Sequence, residues 1–337
     1  VQVYNIYSGN KLLQLDNGIY CLGGICKNAG KTSFLNTLLS QNTHKPMGVL
    51  TTGRDGEERD TVFGNLKPSV HIPANTLFTT ASPVLDELGS AIQVIDKLPY
   101  SAGKKQLWLV RSARALETEI VGPPSSEAQI KVAQQMQFHK AKIVFIDGSL
   151  DRKSIASHPL IDGVFLVVGS SFGSLDKILT ELTRLTALSQ IPMYSTQDKD
   201  LSGMSISFYK DGSWMEAGIA SLLGNETEFI SLITELNPEK LFIPFAITDT
   251  VIHNLKKAIL KLKDIVIAHP LQLHISKANL DYLLTEHQLY TLNAFKLKGI
   301  AVNSWAVDGH HLDSNLLRNK VRDICFPLPV FDIYEGA

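Results

Sequence analysis

Apolar and polar positions change their period along this chain, and each change marks an element. The first 24 residues read as one or two strands, of which Ile19 to Leu22 is an unbroken apolar run. Such a run suits a strand buried on both faces. A glycine-rich turn follows. From Lys31 the spacing becomes helical, with Phe34, Leu35, Leu38 and Leu39 on one face. PMGVLTTG, at 46–53, is a second short buried strand that ends in polar residues. Residues 60 to about 121 break into short extended runs (SVHI, TLFTT, AIQVI, KQLWLV, TEIV) separated by Pro, Gly and Asn, which predicts a β-rich stretch. Ser126 and Gln129 have capping-box spacing and predict a helix reaching about His139.

AKIVFIDG, at 141–148, is a near-continuous apolar strand closed by an acid and a glycine, and DGVFLVVG, at 162–169, repeats the signature. LDKILTELTRLTAL supplies the helix after it. From 192 to 293 the order is harder to read, with strand candidates MSISFY, KLFIPFAIT and IVIAH and amphipathic helices VIHNLKKAILKLK and ANLDYLLTEHQLYTL. KGIAVN and LPVFDI then return to short buried strands. Strands alternating with helices predict an α/β fold, a doubly wound and mostly parallel sheet whose ligands lie beyond the strand C-termini. The expected organisation is a nucleotide-binding core over 1–191 carrying the β-rich insertion at about 60–121, an inserted α/β subdomain over 192–293, and a return to the core over 294–337.

Composition narrows the function classes. With 44% hydrophobic and 19% charged residues and a net charge of −1, the 337-residue chain has no basic excess suited to nucleic acid or anionic membranes. Three cysteines with no CxxC pair argue for a reducing compartment over a disulfide framework. No apolar run reaches the ~18 residues of a membrane span, and no basic-then-apolar signal pattern opens the chain, so a cytoplasmic location is expected.

The chemistry concentrates in LGGICKNAGKTSFLN. A glycine-rich turn between a strand and a helix points backbone N–H groups into one concavity, and the helix N-terminus adds partial positive charge. Gly24, Ala29, Gly30 and Ser33 belong to this cradle, Lys31 would reach terminal phosphates as a point charge, and the Thr32 hydroxyl would face Mg²⁺. The usual spacing is G-x4-GK[ST]; here Gly24 stands one residue further back, with Ile25 in the expected first-glycine position. The competing reading is a glycine turn that only caps a helix, with Lys31 in solvent. Lys27 and Asn28 lie at the loop tip, where they would touch phosphate or a partner, or simply be solvated. Cys26 is expected to fill space.

This G-x5-GKT spacing resembles the dethiobiotin synthetase and cobyrinic acid amide synthetase group of P-loop proteins. FIDG (145–148), LVVGSSFGSLDKILTEL, GIAVN (299–303) and PLPVFDI extend the likeness to roughly half the chain. The sequence departs from dethiobiotin synthetase where that enzyme has a catalytic lysine beyond its second strand, since LTTGRDGE stands there instead. GGICKNAGKT, TTGRDGEERD, DGSLDRKSIAS and the AVNSW…PVFDI ending make the chain most similar to the ATPase component of lysine 5,6-aminomutase reactivases. That resemblance implies ATP and Mg²⁺ as cofactors and ATP-dependent rescue of a cobalamin-dependent aminomutase as the partner-directed function. It is compatible with a homo-oligomer.

Asp147 ends a buried strand and is the natural metal-facing or water-positioning carboxylate, against a turn aspartate. Asp55, with Glu57, Glu58 and Asp60, follows the second strand and is the candidate switch acid and second metal contact. Arg54, Arg111 and Arg152 are candidates to neutralise transition-state charge, with surface ion pairing the plainer reading. Asn303 offers a two-sided amide to a base edge, as the resemblance also implies, against simple turn formation. Trp305, beside Asn303, is a candidate to stack near a base, with core packing the plainer reading, and His269, His274, His310 and His311 are expected in structural roles. A ligase acting on a small carboxylate and a non-hydrolysing nucleotide scaffold are the alternative functions.

Overall fold

The computed structural model describes residues 15–51, 69–149, 153–195, 201–305, 309 and 311–333. They fall into two compact units, one within the ranges 1–179 and 296–337 and the other within 180–295. Asp55 and its acidic neighbours, Arg54, Arg152 and His310 fall outside the described residues. Among the described residues no helix is long and apolar enough to cross a membrane.

The first unit opens with β1 (Gly18–Gly24), α1 (Lys31–Gln41) and β2 (Met47–Thr51). The β-rich stretch follows as β3 (Val70–Ile72), β4 (Leu77–Ala81), the short α2 (Val84–Leu88), β5 (Ile92–Ala102), β6 (Lys105–Ser112) and β7 (Leu116–Thr118). Then come α3 (Ser126–Phe138), β8 (Ile143–Ser149), α4 (Lys153–Ala156), β9 (Gly163–Gly169) and α5 (Leu175–Ser189), within which the unit boundary falls.

The second unit contributes β10 (Ser207–Lys210), β11 (Ser213–Glu216), α6 (Glu226–Leu236), β12 (Lys240–Ile243), β13 (Ile247–Thr248), α7 (Asp249–Ile259), β14 (Asp264–Ile267), β15 (Leu273–His274), α8 (Lys277–Glu286) and β16 (Gln288–Thr291). The chain returns to the first unit through β17 (Leu297–Asn303), α9 (Ser314–Cys325) and β18 (Val330–Asp332).

Nine strands of the first unit form one sheet in the order β18-β17-β9-β1-β8-β2-β4-β6-β5. From β18 to β4 it is parallel, and β6 and β5 close it antiparallel. The β-rich stretch is therefore largely an extension of the main sheet, not a separate layer. The inner strands are buried along their whole length, as β1 and β9 show. Their alternate residues serve two different helices. Tyr20, Leu22, Val49, Phe145 and Phe165 join α1's Phe34, Leu35 and Leu38 in one cluster. Gly48 faces the other way, where a Cβ on it would stand 2.7 Å from the Met136 sulfur of α3. Helices thus cover both faces, the doubly wound arrangement. Phe34 seats α1 by meeting Phe165 and Phe331 at ring distances of 5.8 and 5.6 Å.

The second unit has its own sheet, β11-β10-β12-β14-β16, in which the last three strands are parallel and β10 and β11 form a hairpin. Three local expectations are corrected here. The N-cap of α3 is Ser125, extended at φ −114 and accepting from the Ala128 N–H, while Gln129 donates to the Pro123 carbonyl. ANLDYLLTEHQLYTL is not one helix: α8 ends at Glu286, His287 is extended, and Gln288 to Thr291 pair with β14. KLFIPFAIT is two short strands, because Pro244 cannot donate to a ladder.

Candidate functional site

The parallel ladder brings the carboxyl ends of β1, β8, β2, β9 and β17 to one edge, and the glycine loop leaves from the middle of it. Ile25 still belongs to the sheet, its N–H donating to the Val167 carbonyl at 3.1 Å. The chain then leaves through exposed Lys27 and Asn28, the latter at φ 56, and dips to fully buried Ala29. Gly30 starts α1 from a left-handed conformation, φ 98 and ψ 19, that an L side chain resists.

Three glycines allow the close packing that holds the loop. A Cβ on Gly169, at the end of β9, would stand 2.9 Å from the Ala29 Cα. One on Gly30 would meet the Ile333 Cδ1 at 2.9 Å and the Asn303 Nδ2 at 3.0 Å. One on Gly24 would stand 3.2 Å from both Cδ and Nζ of Lys31. The lysine therefore does not run out to solvent, as a mere surface residue would. Its stem folds back and its ammonium sits over the loop.

Hydrogen-bond accounting separates this loop from an ordinary turn. Lys27 and Asn28 form a hydrogen-bonded turn, and among the described residues no backbone carbonyl accepts from the N–H groups of Gly30 to Ser33, the stretch just before bonded Phe34. Helix α1 has no side-chain cap and no acid in its first turn. In contrast, α3, α7, α8 and α9 are capped by Ser125, Thr248, Ser276 and Asp313. Unfilled N–H groups at a helix start, with the axial dipole behind them, are an anion receptor. Thr32 and Ser33 lie half-buried in this first turn.

On one side of β1 the strand ends are oxygen-rich. Asp147 of β8 pairs in register with both Leu22 of β1 and Thr51 of β2. Directly paired residues of a parallel ladder share a face, so Asp147 and Thr51 stand on the α1 face with Leu22. Asp147 is buried. Burial first, and the Asp147 carboxylate second, push the neighbouring Cys21 thiol up to about 12, so that thiol stays protonated. Cys26 is half-buried and packs on the core, in keeping with its space-filling reading. Thr51 was not singled out by the sequence, although its place at the polar end of an apolar run was the available signal.

On the other side, Asn303 ends β17 in register with Gly169. It is buried, its Oδ1 accepts the Trp305 N–H at 2.9 Å, and its Nδ2 lies toward Gly30. Trp305 is corrected from core to surface: it is 58% exposed, and its ring rests on His311 with centroids 4.4 Å apart. Arg111 is not brought to the site. It lies on β6, four strands from β1, donating to Asn75 Oδ1 and the His139 carbonyl. His269 is structural, its Nδ1 accepting the Leu271 N–H. Among the described residues no three His, Cys, Asp or Glu side chains gather in a metal-binding group.

No family model and no curated relative matches the chain. Among solved structures it is similar to one titled "Crystal structure of the chimerical protein CapA2B2", at 13% identity over 49% of this chain and 69% of that one, with a TM-score of 0.27. A likeness of that degree carries no argument about fold or function.

Proposed function

We propose that this chain is a P-loop ATPase: the loop from Gly24 to Ser33 binds the phosphates of ATP with Mg²⁺, and hydrolysis drives a conformational or reactivation step on a partner protein. The observation that carries this reading is the row of backbone N–H groups from Gly30 to Ser33, aimed at no described carbonyl and placed at an uncapped helix start. An anion satisfies those donors at once, and a phosphate chain does so along their length. The Lys31 ammonium, already folded over Gly24, adds the point charge.

The residues at the β8 and β2 ends fit a hard divalent cation. Asp147, Thr32 and Thr51 offer oxygen donors of the kind Mg²⁺ takes, and the chain's own ammonium and N–H groups supply the rest of the charge balance. Bound there, Mg²⁺ would neutralise charge on the terminal phosphates. Phosphoryl transfer asks mainly for positioning and electrostatics. The loop holds the phosphates in line, Lys31 stabilises charge developing on the transferred group, and the Asp147 carboxylate orients what attacks. The partner reading, a cobalamin-dependent aminomutase, rests on the resemblance of GGICKNAGKT, TTGRDGEERD and the AVNSW…PVFDI ending to reactivase ATPases.

Lys31→Ala tests the core of the proposal. Losing a charged hydrogen-bond partner costs ~1.5–3 kcal/mol, so Mg·ATP should bind about ten- to hundred-fold more weakly by titration calorimetry. A folded variant with unchanged affinity would remove the phosphate-loop assignment.

A further inference from the structure

The Trp305 indole is 58% exposed, although Asn303 and Ser304 just before it are 4% and 2% exposed. Trp305 is not loose. Its N–H is taken by Asn303 Oδ1, it forms an antiparallel bridge with His311, and Leu312 donates to the Ser304 carbonyl at 3.1 Å. The His311 ring lies against it. These contacts fix a large apolar ring in water at the rim of the candidate site, two residues beyond Asn303, whose Nδ2 approaches Gly30. Held in this way, the ring offers a flat aromatic face on which another ring can stack.

The direction of a bound nucleotide follows from the two sides of β1. The oxygen-rich ends of β8 and β2 suit the metal and the terminal phosphate. The nucleoside must then leave toward β9 and β17, and β17 is the second neighbour of β1, about 10 Å across the sheet. Asn303 and Trp305 stand there.

We propose that Trp305, braced by His311, is a stacking platform for the base of the bound nucleotide, the nucleoside end of the phosphate site. The inference rests on the phosphate-loop reading and goes beyond it by assigning the base subsite to an aromatic face. Stacking tolerates any base and grows with ring area, so this platform strengthens binding, while discrimination falls to the Asn303 amide edge.

The test compares Mg·ATP with Mg·tripolyphosphate, which carries the charge but no base, in wild type, Trp305→Ala and Trp305→Phe. Trp305→Ala should weaken Mg·ATP about ten-fold and leave tripolyphosphate unchanged, whereas Trp305→Phe should keep most of the ATP affinity. Saturating ATP should also quench a component of indole fluorescence in wild type that is missing in Trp305→Phe, where Trp108 and Trp214 remain. Equal losses for both ligands, or no loss for ATP, would overturn the platform while leaving the Lys31-dependent phosphate site standing. If wild type binds neither ligand, the phosphate-loop reading falls and the platform falls with it.

Discussion

Gly169→Ala is a perturbation that never touches the nucleotide, yet should damage its site. Gly169 is extended, φ −120 and ψ 153, so alanine meets no backbone strain there. The new methyl would instead stand 2.9 Å from the Ala29 Cα and 3.3 Å from the Ala29 carbonyl oxygen. Carbon atoms pack at ~3.5–4.0 Å, so about 0.8 Å must be found. Strand β9 is laddered to both β1 and β17 and cannot give way. The glycine loop is the softer partner, and it moves. Overpacking of this size costs about 1–3 kcal/mol of stability. A shift approaching 1 Å in a positioning element costs up to about a hundred-fold in function. Calorimetry with Mg·ATP and Mg·tripolyphosphate should therefore show both ligands weakened by at least about ten-fold in a folded protein. Gly163→Ala is the control: it crowds Lys298 and Tyr20 at the opposite end of the same strand, about 20 Å away. It should lose stability and keep affinity. A folded Gly169→Ala that binds like wild type would refute the reasoning, because the loop would then not be a rigid cradle set by β9.

Two further outcomes are expected. Asp147→Asn should bind Mg·ATP nearly as well as wild type but hydrolyse it far more slowly and with an altered Mg²⁺ dependence; normal phosphate release would reduce Asp147 to a structural residue. His269 should make the fold acid-sensitive, because burial pushes its imidazole down from 6.5 to about 4, with the Ala294 carbonyl working in the opposite direction. The unfolded chain takes up a proton below about 6.5 and the folded one only near 4, so stability present above pH 6.5 is lost as pH falls across that window, by up to about 3 kcal/mol. His269→Asn keeps an acceptor for the Leu271 N–H without titrating, and denaturant unfolding across the window should show it losing less. Equal acid sensitivity would clear His269 of the effect.

How much of this was legible in the sequence depends on whether the cause is local. Strand β1, the turn and α1 follow from apolar runs and glycine spacing within about 25 residues, and the buried face of Phe34, Leu35, Leu38 and Leu39 appears as expected. The boundary at Glu286 was not legible. LTEHQLYTL keeps a helical rhythm, but Gln288 to Thr291 gain a parallel ladder against Asp264 to Ile267, and tertiary pairing overrides local propensity there. The α3 cap slipped by one residue because Ser125 and Ser126 are chemically equivalent, and only the extended backbone of the first selects it. Helix α9 escaped notice because its apolar side is thin, with Leu317, Val321 and Cys325 its buried residues.

The two ends of the candidate site differ in the same way. Its proposed phosphate end is backbone chemistry, N–H groups of Gly30 to Ser33 and glycines that let strands approach, so residue spacing alone points to it. Its proposed base end joins Asn303 and Trp305, more than 270 residues beyond Gly30, and depends on β17 lying next to β9. No local rule distinguishes a tryptophan bound for the core from one held out on a rim, and here two contacts, with Asn303 and His311, decide it. The division has a functional consequence. Substitutions in the loop should change whether a nucleotide binds at all, whereas a substitution at Asn303 should change which nucleotide binds and one at Trp305 how tightly any nucleotide binds. A loss of base preference, or of ATP affinity, together with intact tripolyphosphate binding is therefore the signature of damage at the β17 end, and no change in the loop should reproduce it.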